Sequence, residues 1–214
     1  MGFPSVTPWL SAQISHNKLK LVGEVKTLKA KVITDRDLKL ALGILQRPRD
    51  RAMFLVSVKA GLRACEIAGL TWGHVRNDTT LLELSSEITK GQNPRDIPIN
   101  KDLRAALLEH REASRRTSDD DPVFPSTHAI KGKHLSANAV AAWFKDLYRR
   151  KLNWTGYSSH SGRRTFLTNA ARKATTVGAS LKDVQEMAGH KNLSTTQVYI
   201  ESDSDARRKL VDIV

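Results

Sequence analysis

The sequence predicts a mainly α-helical chain with one small antiparallel β-sheet, an α+β fold. Three observations carry that prediction. From Thr34 onward apolar residues recur mostly at helical spacing, with capping residues at the segment starts. One stretch, residues 81–99, changes to two short β-rich runs around Lys90-Gly91-Gln92-Asn93-Pro94-Arg95-Asp96, a turn dense in breakers. No internal repeat or low-complexity tract divides the 214 residues, so one layered domain is the simplest arrangement.

Residues 1–31 read as an appendage. Pro4, Pro8 and Gly23 interrupt any period, and Lys18, Lys20, Lys26, Lys29 and Lys31 stud it, as in a solvated tail, a linker remnant or a basic arm. The globular part, residues 32–214, opens with Thr34 and Asp37 spaced as a capping box before Leu38, Ala41, Leu42 and Leu45. Pro48 is expected to stop that helix. A second helix is predicted near 49–60, with Gly61 past its end, and a short third one over 63–70. Strands are expected over 81–89 and 97–99, with Lys90 where the first runs into the turn. Asn100 is placed to cap a helix over 101–114. Residues 115–135 read as loop, with Asp119-Asp120-Asp121 as a solvated acidic run. Ser136 caps a helix whose Val140, Trp143, Phe144 and Leu147 make an apolar stripe, and helices over 161–173, 181–188 and 203–211 complete the domain.

Composition narrows the partners. Apolar residues make up 40% and charged residues 27%, as in a soluble globular protein. The formal net charge of +13 favours polyanions, through phosphate contacts and counterion release. Residues 151–200 carry 7 basic and 2 acidic groups, so the excess falls on a segment with two histidines of interest. Cys65 is the only cysteine, which rules out an intrachain disulfide, and its neighbours suggest a small buried residue on a helix. No run approaches about 18 apolar residues and no signal peptide is seen, so the expectation is a cytoplasmic or nucleoid location without membrane contact.

The candidate chemistry lies in an ordered set of basic residues and one tyrosine. Arg63 sits in Gly61-Leu62-Arg63-Ala64-Cys65-Glu66-Ile67 and Lys90 in Thr89-Lys90-Gly91-Gln92. His160 and Arg163 sit in His160-Ser161-Gly162-Arg163-Arg164-Thr165-Phe166, His190 closes Met187-Ala188-Gly189-His190, and Tyr199 follows nine residues later. Arginine suits phosphate because its planar fork donates two parallel hydrogen bonds and stays charged. His160 and Arg163 are three apart and share a helix face if the helix begins near Ser159; Arg164 is the rival for that role. His190 follows a helix C-terminal signal, where a histidine is more often a cationic cap. A tyrosine hydroxyl, with a pKa of about 10, needs a base or strongly positive surroundings to attack at neutral pH. Lys90, if desolvated beside other cations, can act as a general acid. Neither metal-ligand spacing nor a nucleotide cradle is present in the sequence.

This ordered set, Arg63, Lys90, His160-x-x-Arg163, His190 and Tyr199, resembles the catalytic domain of the tyrosine recombinase (phage integrase) family, as do the phrases Gly61-Leu62-Arg63-x-x-Glu66-Ile67 and Gly189-His190-x-x-x-Ser194-Thr195-Thr196. The resemblance covers about residues 32 to 214. It implies that Tyr199 attacks a phosphodiester of double-stranded DNA, forming a 3′-phosphotyrosyl link and freeing a 5′ hydroxyl. It further implies that Arg63 and Arg163 hold the phosphate with help from His190, that Lys90 protonates the leaving oxygen, that His160 exchanges protons with the nucleophile, and that Glu66 braces Arg63. The link conserves the bond energy, so no cofactor, ATP or metal is expected. The partners implied are DNA and other copies of the chain: a homo-tetramer on paired sites, monomeric without DNA, with residues after Tyr199 docking on a neighbour. Two departures stand out. Arg164 replaces a second histidine found in many members. Only about 31 residues precede the match, where members usually carry a helical core-binding domain, so that domain is expected to be absent. A type IB topoisomerase-like enzyme would share the chemistry, and a non-catalytic DNA-binding module or regulator would share the fold. Mere binding, however, requires neither Tyr199 nor Lys90.

Overall fold

The computed structural model of the protein describes residues 30–76, 78–89, 93–116, 118–126, 134–199 and 211. Eight α-helices and a three-stranded antiparallel sheet are found among them. Thr34 and Asp37 form the expected capping box of α1 (Asp35–Ile44). Pro48 does not itself stop α1; Leu45 leaves the helix first, and Pro48 sits at the start of α2 (Pro48–Lys59), where its missing N–H costs nothing. Residues 52–58 of α2 are all buried, and all but Ser57 are apolar, so this helix is the central pillar. Gly61, at φ +66°, turns the chain from α2 into α3 (Ala64–Gly69).

The sheet comprises β1 (Val75–Arg76), β2 (Leu81–Leu84) and β3 (Arg95–Pro98) in the order β1-β2-β3. Val75 faces Leu82, which faces Ile97, giving a buried apolar row across the inner face. Alternation places Leu84 and its partner Arg95 on that same face, so an arginine points inward. Pro98 is tolerated because β3 is an edge strand. Asn100 caps α4 (Lys101–Ser114) and Ser136 caps α5 (Ala137–Asp146), each accepting a backbone N–H three residues on. A wider π-type turn, Leu147–Lys151, extends α5 and buries Tyr148 among aromatic rings. Helices α6 (Ser161–Lys173), α7 (Leu181–Ala188) and α8 (Leu193–Gln197) follow.

Two apolar clusters result. The larger joins α1 to α5, the sheet and the π-type turn around Phe54, Trp72, Phe124, Phe144 and Tyr148. The smaller is built on Leu167, Ala174, Val184 and Ala188, with Phe166 and Tyr199 against it. Helix α6 lies across α2 at Gly162, where a Cβ would fall 2.9 Å from a backbone carbon of Ser57, so the two backbones meet only because the side chain is absent. Phe166, four residues on in α6, packs against both clusters.

Several expectations need correction. The strand expected over 81–89 ends at Leu84; Ser86 and Thr89 satisfy each other within a turn instead, the Thr89 hydroxyl donating to the Ser86 carbonyl. The second strand is shifted to Arg95–Pro98, because antiparallel pairing with Leu81–Leu84 sets its register. Helix α6 spans Ser161–Lys173 as expected, so it does not begin near Ser159: Ser158 and Ser161 close a turn just ahead of it and His160 is left at the cap. Cys65 is half-buried, not buried. β1 and α8 were not foreseen, both being too short for periodicity to show. Lys90, residues 1–29 of the appendage, and the helix expected over 203–211 apart from Val211 lie outside the described residues.

Candidate active site

Arg63 is the N-cap residue of α3, its backbone extended, and its N–H and guanidinium both donate to Glu66, each at 2.8 Å. Glu66 is itself fully buried. It also receives a two-pronged bond from Arg95, at 3.0 and 2.9 Å, so one carboxylate ties two arginines together. Burial pushes the Glu66 carboxyl upward, but the bonds and charge of Arg95 and Arg63 outweigh it and hold it below the usual range. Arg95 was not singled out by sequence reasoning, which placed it in a turn. The signal that could have found it is its position two residues before Ile97, which puts both on one strand face.

Arg163 is reached through the close crossing of α6 and α2. Its guanidinium donates to the carbonyls of Gly61 and Ala188 and to Nε2 of His190, the last at 3.1 Å. Burial foremost, and the neighbouring Arg63, lower its pKa to about 10, so it remains charged at neutral pH. His190 follows Gly189, whose φ of +61° turns the chain off the end of α7. Because Arg163 can only donate, Nε2 must accept; Nδ1 then carries the proton and donates to Thr196 Oγ1 at 2.9 Å. The alternative reading of His190 as a cationic helix cap does not fit: burial, then Arg163, Arg63 and Arg95, lower its pKa to about 4, which leaves the ring neutral at neutral pH. The helix dipole is outweighed by nearby full charges. The Tyr199 ring stacks on the His190 ring, centroids 6.1 Å apart.

These groups converge. Arg63, His160, Arg163, His190 and Tyr199 line one concave pocket of about 680 Å³, together with Arg164 and Tyr157. Among the described residues, no carboxylate lines it. His160 stands exposed at the N-terminal end of α6. Arg164 faces the same pocket but gives a hydrogen bond to the Ala30 carbonyl, part of a strap in which the Lys31 N–H also binds Gly156 and Lys31 Nζ lies over the Tyr157 ring. Arg163 is thus the better-aimed of the two rivals, gripped between Gly61 and His190. Chemically, the pocket offers fixed positive charge, a neutral imidazole, an exposed imidazole and a phenol hydroxyl on one concave surface, which suits an anionic ester.

Comparison with known proteins points the same way. A family model described as "Phage integrase family" matches residues 31–205. The chain is 32% identical over 164 residues to tyrosine recombinase XerC of Xylella fastidiosa strain 9a5c, covering 77% of this chain and 52% of that protein. It is 35% identical over 180 residues to XerC of Proteus mirabilis, covering 82% and 53%. The chain thus spans about half the length of these relatives. In fold it is similar to a XerA recombinase, with a TM-score of 0.68 at 19% identity over 84% of this chain and 63% of that one. It is likewise similar to the Tn1549 transposon integrase in complex with a circular intermediate DNA, with a TM-score of 0.68 at 18% identity over 87% and 66%.

Proposed function

This chain belongs to the phage integrase family, and on that premise we propose that it cuts and rejoins double-stranded DNA through a covalent link to Tyr199. The observation that supports this most is the convergence of Arg63, His160, Arg163, His190 and Tyr199 on one pocket lined by no described carboxylate. A phosphodiester placed there meets two guanidinium groups already held in position. Charge that grows on its non-bridging oxygens during attack is met without reorganisation, and one such donor contributes roughly 3–4 kcal/mol.

The steps follow from the groups present. The Tyr199 oxygen bonds to phosphorus and the bond from phosphorus to the 5′ oxygen breaks. The phenol proton passes to His160, the exposed imidazole at the pocket edge. Lys90 supplies a proton to the departing 5′ oxygen. Neutral His190 holds Arg163 at Nε2 and stacks on the nucleophile's ring; a bound phosphate would offset the surrounding positive charge and favour its protonation. Reversal with a different 5′ hydroxyl reseals the strand, and neither ATP nor metal is consumed. Exchange between two DNA sites then requires several copies of the chain on paired duplexes, a homo-tetramer in the simplest case.

A nicked suicide duplex tests the reading. Wild-type protein should form a covalent adduct that survives a denaturing gel, and Tyr199→Phe should form none while binding the same DNA equally well. Absence of an adduct on every duplex tried would favour a DNA-binding module without chemistry. Relaxation of a single plasmid without exchange between sites would favour the topoisomerase-like role.

A further inference from the structure

We infer that Arg95 is a positioning residue for the strand-cutting reaction, holding the two halves of the pocket in register through Glu66 on one side and the end of α7 on the other. The inference rests on the function proposed above. The three guanidinium nitrogens of Arg95 each have a defined partner: Nη1 and Nη2 fork onto Glu66 at 3.0 and 2.9 Å, and Nε donates to the Met187 carbonyl at 2.8 Å. Its side chain is only 5% exposed, so these bonds are made away from water. Glu66 lies on α3, whose Ile67 and Ala68 belong to the larger core, and it sets Arg63; Met187 lies two residues before the turn that presents His190. Gly189 allows this packing, because a Cβ there would fall 3.1 Å from Arg95 Cδ and Nη1. Arg95 therefore touches neither the tyrosine nor the pocket, yet every covalent path between the arginine frame and the histidine turn is far longer than the bridge it makes. A rigid planar fork suits that task, whereas a lysine ammonium cannot hold carboxylate and carbonyl in the same fixed geometry.

The test compares wild type, Arg95→Lys and Arg95→Gln on the suicide duplex, with DNA affinity, thermal midpoint and the His190 ring resonances measured in parallel. Arg95→Lys should form adduct about 100-fold more slowly at saturating DNA, the loss expected for a misplacement of about 1 Å. Its DNA affinity should stay within about threefold of wild type, since such a displacement affects chemistry more than backbone contact. The His190 resonances should move in both variants without DNA present, a readout that general loosening with an unchanged site would not give. An Arg95→Lys protein that cleaves at the wild-type rate overturns the inference. So does a rate loss matched by an equal loss of affinity, which would make Arg95 a DNA contact, or one fully recovered by cooling, which would make its role stability alone. If Arg95→Gln fails to fold, Arg95→Lys still decides. Failure of the wild-type protein itself to form an adduct would instead sink the function from which the inference proceeds.

Discussion

Arg63 stands at the head of a helix packed into the larger core, where Phe54, Leu62, Ile67 and Leu82 are fully buried. Tyr199 follows α8, a helix of 5 residues, and packs against the smaller cluster, whose buried apolar members are Leu167, Ala174, Val184 and Ala188. The two regions face each other across one pocket, but they are held with unequal force. The cations have carboxylate and carbonyl partners and little freedom. Tyr199, the proposed nucleophile, has a stacked imidazole and a short helix ahead of it. Fixed charge is what preorganised stabilisation requires, while a reactive group that must bond to substrate and later release it can come from the less stable part of a molecule.

The largest way to break this contrast is to remove its anchor. Glu66→Ala leaves Arg95 buried without a counter-charge, at a cost of about 4 kcal/mol. In a domain of this size that is about 10 °C of Tm, measured by calorimetry. Next comes Arg63→Ala, expected to slow adduct formation by roughly 100- to 1,000-fold while largely sparing DNA affinity. Equal loss of binding would reassign Arg63 to structure. A matched pair then compares the two cores. Leu82→Ala and Leu167→Ala both create cavities, but the thinner cluster collapses more readily, so Leu82→Ala should lower stability more, by about 1 kcal/mol, and Leu167→Ala should slow cleavage more. Denaturant melts and cleavage rates on the same samples check this, and amide exchange should be faster in α8 than in α2.

The smallest effect concerns protons. His190 has a folded pKa of about 4, below the ordinary histidine value near 6.5. At higher pH both folded and unfolded states are neutral there and no penalty arises. As pH falls from about 6.5 towards 4 the unfolded chain takes up a proton that the folded one refuses, so stability declines through that window and levels off below it. Titration of His190 by NMR should show the low midpoint, and added vanadate, an anion of phosphate shape, should raise it. His190→Gln should remove its share of the pH dependence.

Most helices could be read from local chemistry. The Thr34, Asn100 and Ser136 caps act on backbone groups three residues away, so neighbouring residues determine them. That Arg63, His160, Arg163, His190 and Tyr199 meet at one pocket was legible for a different reason: their types and spacing carry the family resemblance even where no single phrase is specific. Short elements such as β1 and α8 were not legible, because a strand of 2 residues or a helix of 5 shows no periodicity and exists only through its neighbours.

What the sequence determined by itself is the local grammar: where helices start, where Gly61 and Gly189 turn the chain, and which residues bear charge. Tertiary structure alone decided how those charges act. Arg95 meets Glu66 across 29 positions and Arg163 meets Gly61 across 102, separations that no local pattern encodes. The protonation of His190 was likewise a tertiary outcome, since its partners Arg163 and Thr196 come from different helices. A side chain's pKa follows burial and charge in three dimensions, and both are properties of the packed fold.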